Sequence, residues 1–144
     1  KISDTELNSL TEKIIGTAID VHKELGPGLL ESAYQKCLAI ALEEKGLKIQ
    51  TEVPVELFYH NHKISDEAFR IDILVENTIV IELKSVSKLT EVFSKQVGTY
   101  LKIGNYPCGL LINFNEVLLK DGIKKIINIA ITPMFNMVNI SEHS

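Results

Sequence analysis

The segment that most constrains the fold is Arg70 to Ser85, RIDILVENTIVIELKS, where aliphatic residues alternate with Asp72, Glu82 and Lys84 on either side of an Asn-containing turn. Alternation of this kind reads as an antiparallel hairpin. In such a pair directly opposed residues share a face, so the register decides which side chains are buried together. A three-residue loop at Glu76-Asn77-Thr78 sets Val75 opposite Ile79, Ile73 opposite Ile81 and Ile71 opposite Leu83, and that face is wholly apolar. A register shifted by one residue mixes polar and apolar side chains on both faces. It forfeits roughly 1.5–3 kcal/mol for each large side chain left out of the core. The favoured register puts Asp72 directly opposite Glu82, with Lys84 on the same face.

Two carboxylates about 4 Å apart repel by about 4 kcal/mol at an effective dielectric near 20. Three arrangements offset that repulsion: a salt bridge to Lys84, a proton retained on one carboxyl, or a divalent cation bound by both through oxygen. The hairpin residues alone leave all three open.

The flanking segments supply the rest of a domain. Leu7, Leu10, Ile14, Ala18, Val21 and Leu25 recur at helical spacing, and Gly26-Pro27-Gly28 ends the pattern. A second helix is predicted from about Leu30 to Lys45, with Tyr34, Leu38, Ala41 and Leu42 on its apolar stripe and Gly46 beyond its end. From Ile49 to Tyr59 the period becomes two, and HNHK at 60–63 reads as a turn. Ser87 is predicted to cap a helix running to about Ile103, closed by Gly104-Asn105. CGLLINF at 108–114 has the continuous apolar character of a strand buried on both faces, and IKKIINIAIT at 123–132 reads as a further strand. The order α-α-β-β-β-α-β-β implies an α/β or α+β fold, with helices packed on a mixed central sheet.

At 144 residues and 45% hydrophobic content the chain supports one core, so residues 1–144 are expected to form a single domain, with no assignment for the tail after about 132. The net charge of −4 excludes a global attraction to nucleic acid or anionic membranes, so any such binding needs a local basic patch. Cys37 and Cys108 show no metal or redox spacing and read as buried thiols of a reducing compartment. The N-terminal KISDTELNSL lacks a signal-peptide core, and IINIAITPMFNMVNI is too short and Asn-rich to span a bilayer. These features predict a cytoplasmic protein with no membrane association. The chain starts at Lys1 rather than Met, so some leading residues are expected to be missing.

Two motifs resemble a known group. Asp72 followed by Glu82-Leu83-Lys84 is similar to the D…ExK signature of the PD-(D/E)XK nuclease superfamily. Gly28-x-x-Glu31-x-x-Tyr34, within LGPGLLESAYQKCL, matches the pattern that names the GxxExxY family of that superfamily. VHKELGPGLLE, RIDILVE, IVIELKSV, QVGTYL and GLLINF extend the resemblance across nearly all of Ile14 to Phe114. It implies a nuclease-like α-β-β-β-α-β core and metal-dependent hydrolysis of phosphodiester bonds in DNA or RNA. By the same resemblance Glu31 is the acid of the early helix, Asp72 and Glu82 are the metal-binding acids, and Lys84 is the catalytic lysine. Gln96 and Tyr100 match the QxxxY pair of the following helix. Asn115 departs from the pattern, standing where glycine is expected.

The chemistry such a site needs follows from the reaction. The attacking water must lose a proton while charge builds on the phosphoryl oxygens, and Mg²⁺ or Mn²⁺ on hard oxygen ligands serves both needs. Asp72 and Glu82 would bind the ion, with the Leu83 carbonyl as a further donor and Glu31 direct or through water. Lys84 would orient the nucleophile or steady developing charge. Gln96, Tyr100 and Tyr34 are candidates for substrate contact, although a Tyr on an apolar stripe is first a packing residue. Lys88, Lys95 and Lys102, seven residues apart, form a candidate phosphate-tracking stripe, the ordinary reading being a solvated helix face. His22 reads as a core or helix-end histidine, and His60-Asn61-His62 as a hairpin tip without the further ligands of a metal finger. The competing function is a binding or assembly module that keeps the fold without turnover. A homodimer or an unknown protein partner is compatible with either.

Overall fold

The computed structural model describes residues 2–129. Helix α1 (Asp4–Leu25) and helix α2 (Glu31–Glu44) precede strands β1 (Ile49–Tyr59), β2 (His62–Val75) and β3 (Ile79–Lys84). Helix α3 (Glu91–Gly104), strand β4 (Cys108–Asn113), a short 3-10 turn (Leu119–Gly122) and strand β5 (Ile123–Ile127) follow. The sheet runs β1-β2-β3-β4-β5, parallel between β3 and β4 and antiparallel elsewhere. This mixed, helix-flanked sheet is an α/β architecture, one of the two classes that the order of periodicities admits. Among the described residues no helix is long and apolar enough to cross a membrane.

Alternation along the central strands builds two apolar layers. Ile73, Val75, Ile79, Ile81, Leu83, Leu110 and Ile112 pack with Ile14, Ala18, Tyr34, Leu38 and Leu42 of α1 and α2. Leu74, Val80 and Leu111 pack with Val97 and Leu101 of α3 on the opposite side. Helix α3 approaches β4 closely at Gly109, where an added Cβ would stand 2.8 Å from Val97 Cγ1.

The β2–β3 hairpin takes the expected register, Ile73↔Ile81, Leu74↔Val80 and Val75↔Ile79, with residues 76–78 as its loop. One member of the expected face departs from it. Ile71 joins Val53, Val55 and Phe69 in the α3-side cluster, because β2 has separated from β3 there and follows β1 instead.

Helix α1 begins with a capping box between Ser3 and Glu6. It ends at Gly26, whose φ of 73° only glycine adopts without strain. Helix α3 starts later than predicted, with Thr90 rather than Ser87 at the N-cap position. The chain between β3 and α3 is committed to other partners. Ser85 Oγ donates to the Leu29 carbonyl, and the Val86 N–H and carbonyl are both bound by the buried Asn113 amide. Asn115 has no left-handed backbone, so its place needs no glycine, and its side chain donates to the same Val86 carbonyl. Strand β5 ends at Ile127, and the Asn128 side chain then turns inward to the Leu101 and Tyr106 carbonyls. The remainder of the predicted strand to residue 132, and the tail, lie outside the described residues.

Candidate active site

The backbone ladder between β2 and β3 stops at Ile73↔Ile81. At the next position the strands fork, and each acid crosses the gap to occupy a backbone donor of the opposite strand. The Asp72 N–H donates to Glu82 Oε1 at 3.2 Å, and the Leu83 N–H donates to Asp72 Oδ2 at 2.8 Å. Asp72 does face Glu82 as the register requires, and the two carboxylates replace the missing ladder bonds.

This place is electrostatically unfavourable for a pair of anions. Glu82 is 8% exposed, and its carboxyl is pushed up to about 8, chiefly by burial and then by the charge of Asp72. The Asp72 carboxyl is also raised, first by burial, against the lowering effect of the Leu83 N–H. Glu52 and Glu31 add to that rise. In the metal-free protein near neutral pH a proton on Glu82 therefore relieves the repulsion.

Lys84 does not. Among the described residues its ammonium makes no ion pair, and it stands 4.7 Å from the centroid of the Phe93 ring. An aromatic face on α3 holds the lysine near the acids without locking it onto them. The Asp-Lys-Glu network that the hairpin residues left open is thus not formed.

The remaining predicted residues divide. Glu31 is the first residue of α2, exposed, where the helix dipole favours an acid, and its charge reaches Asp72. Tyr100 stacks on Phe69 of β2 at 3.9 Å, and its hydroxyl is held above the ordinary range by burial and then by the charges of Glu82 and Asp72. Gln96 lies one turn earlier on α3 and is exposed. Lys95 is exposed on the same helix, but Lys88 falls in the connection before it, so no three-lysine helical stripe exists.

Tyr34 is elsewhere. It is fully buried, stacked on Phe114 at 4.5 Å, and its hydroxyl donates to the Gly26 carbonyl and accepts from the Leu29 N–H. Substrate contact is closed to a phenol so enclosed, and Tyr34 fastens the GPG corner that delivers Glu31. Tyr34→Phe is expected to cost about 1–2 kcal/mol in urea denaturation, the value of a lost hydroxyl with its backbone partners left over. His22 is likewise a core group, its Nε2 2.7 Å from the Glu116 carbonyl.

Glu52 was not legible in the sequence. It sits in β1 between Thr51↔Ile73 and Val53↔Ile71, which brings it across from Asp72, and its backbone is left-handed with φ 53°. Its Oε2 accepts a hydrogen bond from Gln35 Nε2 of α2 at 2.9 Å.

The donors present suit a hard cation with an open coordination sphere. Asp72 and Glu82 each spend one oxygen on a backbone N–H, while Asp72 Oδ1 and Glu82 Oε2 have no hydrogen-bond partner among the described residues. No set of three His, Cys, Asp or Glu side chains among the described residues is gathered closely enough to hold a metal. Carboxylate oxygens are hard donors, the type that divalent cations with several retained waters accept.

A family model described as the PD-(D/E)XK nuclease superfamily matches residues 8–126, which include every acid of this site. No curated protein and no solved structure matches the chain.

Proposed function

Because the chain belongs to the PD-(D/E)XK nuclease superfamily, we propose that it hydrolyses phosphodiester bonds of DNA or RNA, using Mg²⁺ or Mn²⁺ held by Asp72 and Glu82. The observation that carries this reading is the fork. Two carboxylates are kept together in a part-buried gap, with one of them pushed up to about 8, at a position where an apolar pair would continue the sheet. Strongly shifted groups arranged at a structural cost are a common mark of a working site. The Gly28, Glu31 and Tyr34 pattern supports placing the chain in the GxxExxY branch.

In this reading Asp72 and Glu82, with the Leu83 carbonyl, bind the ion, and Glu31 reaches it directly or through water. When bound, the ion lowers the pKa of water and polarises the phosphoryl group. Lys84, steered by the Phe93 face, offers positive charge to the oxygens that become more negative in the transition state. Tyr100 and Gln96 flank the acids as substrate contacts, and Lys95 and Lys88 offer local positive charge to phosphates. The net charge of −4 favours a second reading, a nuclease-like module that binds or assembles without turnover.

A mixed panel of single- and double-stranded DNA and RNA, with and without Mn²⁺, tests the proposal. Cleavage is expected only with the ion, and Asp72→Ala is expected to reduce it at least a hundredfold. Binding of the panel without cleavage by the wild type would select the second reading.

A further inference from the structure

We propose that the nucleic acid taken by this chain is a single strand, of DNA or RNA, gripped by stacking of its bases on Phe69, Tyr100 and Phe93 rather than by neutralisation of its phosphates. The inference rests on the reading of the chain as a nuclease and names the form of substrate that its site takes.

The charges around the fork disfavour a duplex. On the far side of the fork from Ile73, β2 pairs with β1 alone, and the two strands run out as a two-stranded ribbon. The ribbon's basic side chains are spent on its own acids. Lys63 pairs with Glu56 and Asp66, and Arg70 pairs with Glu67. The positive charge left for phosphates is that of Lys84, Lys88 and Lys95, none of them in an ion pair among the described residues. A duplex carries one negative charge about every 1.7 Å, and three cations set among this many acids neutralise little of it.

The rings supply the other source of affinity. Phe69, three residues before Asp72 on β2, stacks on Tyr100 of α3 with centroids 3.9 Å apart and ring planes 10° apart. Phe93 of the same helix holds the Lys84 ammonium 4.7 Å from its centroid, and Lys84 lies two residues beyond Glu82 on β3. All three rings are half-buried, so part of each stays open to solvent.

Their spacing suits a strand laid along the helix. Phe93 and Tyr100 are seven residues apart, which sets them on one side of α3 about 10 Å apart along its axis. Gln96 lies between them and is exposed. Aromatic rings accept the face of any base, and an amide both donates to and accepts from a base edge. In a duplex those faces are covered by the neighbouring base pairs, so only an unpaired strand presents them.

Fluorescence anisotropy of labelled oligonucleotides in EDTA, with the metal withheld, tests this. Single strands of DNA or of RNA are expected to bind roughly tenfold or more tightly than the duplex of equal length. Their affinity should fall only gently with salt, with a log–log slope of about 2 or less in magnitude, as three phosphate contacts would give. Phe69→Leu and Tyr100→Leu are each expected to loosen single-strand binding roughly tenfold, the effect of one lost stack, and Phe69→Trp to preserve it. A strand of abasic sugar-phosphate units should bind the wild type and Phe69→Leu alike. Duplex bound by the wild type as tightly as single strand would overturn the inference and leave the nuclease reading standing. Unchanged single-strand affinity in both leucine variants would do the same, as would an equal loss for the abasic strand, which makes the rings structural only. No binding in EDTA together with no cleavage in Mn²⁺ would remove the nuclease reading and this inference with it.

Discussion

Metal-free Glu82→Gln is expected to be more stable than the wild type at pH 9, by on the order of 3–5 kcal/mol, and nearly equal to it at pH 4. The sign follows from the direction of the shift. The folded protein holds the Glu82 carboxyl up at about 8, against 4.5 as its ordinary value. Between those values the unfolded chain releases a proton that the folded chain keeps, so wild-type stability falls as pH rises from about 4.5 to about 8 and levels off above. The amide cannot ionise, and its oxygen can still accept from the Asp72 N–H. Urea denaturation in EDTA across this range measures the difference directly. A wild-type stability that is flat from pH 5 to 8 would refute it, and a loss of stability in the variant would restore the ion-network explanation. Saturating Mn²⁺ should reverse the trend, since the cation binds the ionised pair in the folded state alone and Glu82→Gln weakens its grip.

The second large effect concerns Lys84. Lys84→Ala is expected to lower the cleavage rate by about 10²–10³-fold while leaving Mn²⁺ affinity unchanged or slightly tighter. Its ammonium is not spent on either carboxylate, so its removal deprives the ion of no ligand and relieves a positive charge beside the binding site. The cost in stability should be small, about 0.5–1 kcal/mol for the contact with Phe93. Lys84→Arg keeps the charge but spreads it over a planar fork, and it should also be a poor catalyst. Single-turnover cleavage at saturating Mn²⁺, beside calorimetry, separates the two quantities. Wild-type turnover in Lys84→Ala would remove the lysine from the chemistry.

Much of this was legible in the sequence, for reasons that differ by residue. The alternation of Ile73, Val75, Ile79 and Ile81 admits one register with a wholly apolar face, and the structure pairs them in it. Alternation records which way side chains point. It does not record whether the backbone between them is bonded, so the fork at Asp72 and Glu82 could not be foreseen. Glu52 was hidden by the strand pairing itself. The turn at His60-Asn61 pairs Tyr59 with His62, and a regular ladder extended from there would face Glu52 with Phe69. Two irregularities, between Val55 and Leu57 and between Leu57 and Phe58, slide β1 until Glu52 comes opposite Asp72 instead. Helix α3 starts beyond Ser87 because the bonds from Ser85 and Val86 to Leu29 and Asn113 join residues far apart in the chain, which no local capping pattern encodes. Lys84 found Phe93 across the space between β3 and α3, a contact no local pattern encodes.

The crossed carboxylates also set a direction for how such a chain can drift. Asp72 and Glu82 stand in for two backbone bonds while carrying charge that the surroundings resist, and neutral replacements of similar shape would keep the hydrogen bonds and shed the repulsion. A lineage no longer selected for cleavage would therefore find stabilising substitutions at this fork before almost anywhere else. Silent descendants of the fold lie downhill from the chain described here, and a chain that still carries both acids and the lysine holds its least comfortable composition where its chemistry is proposed to be.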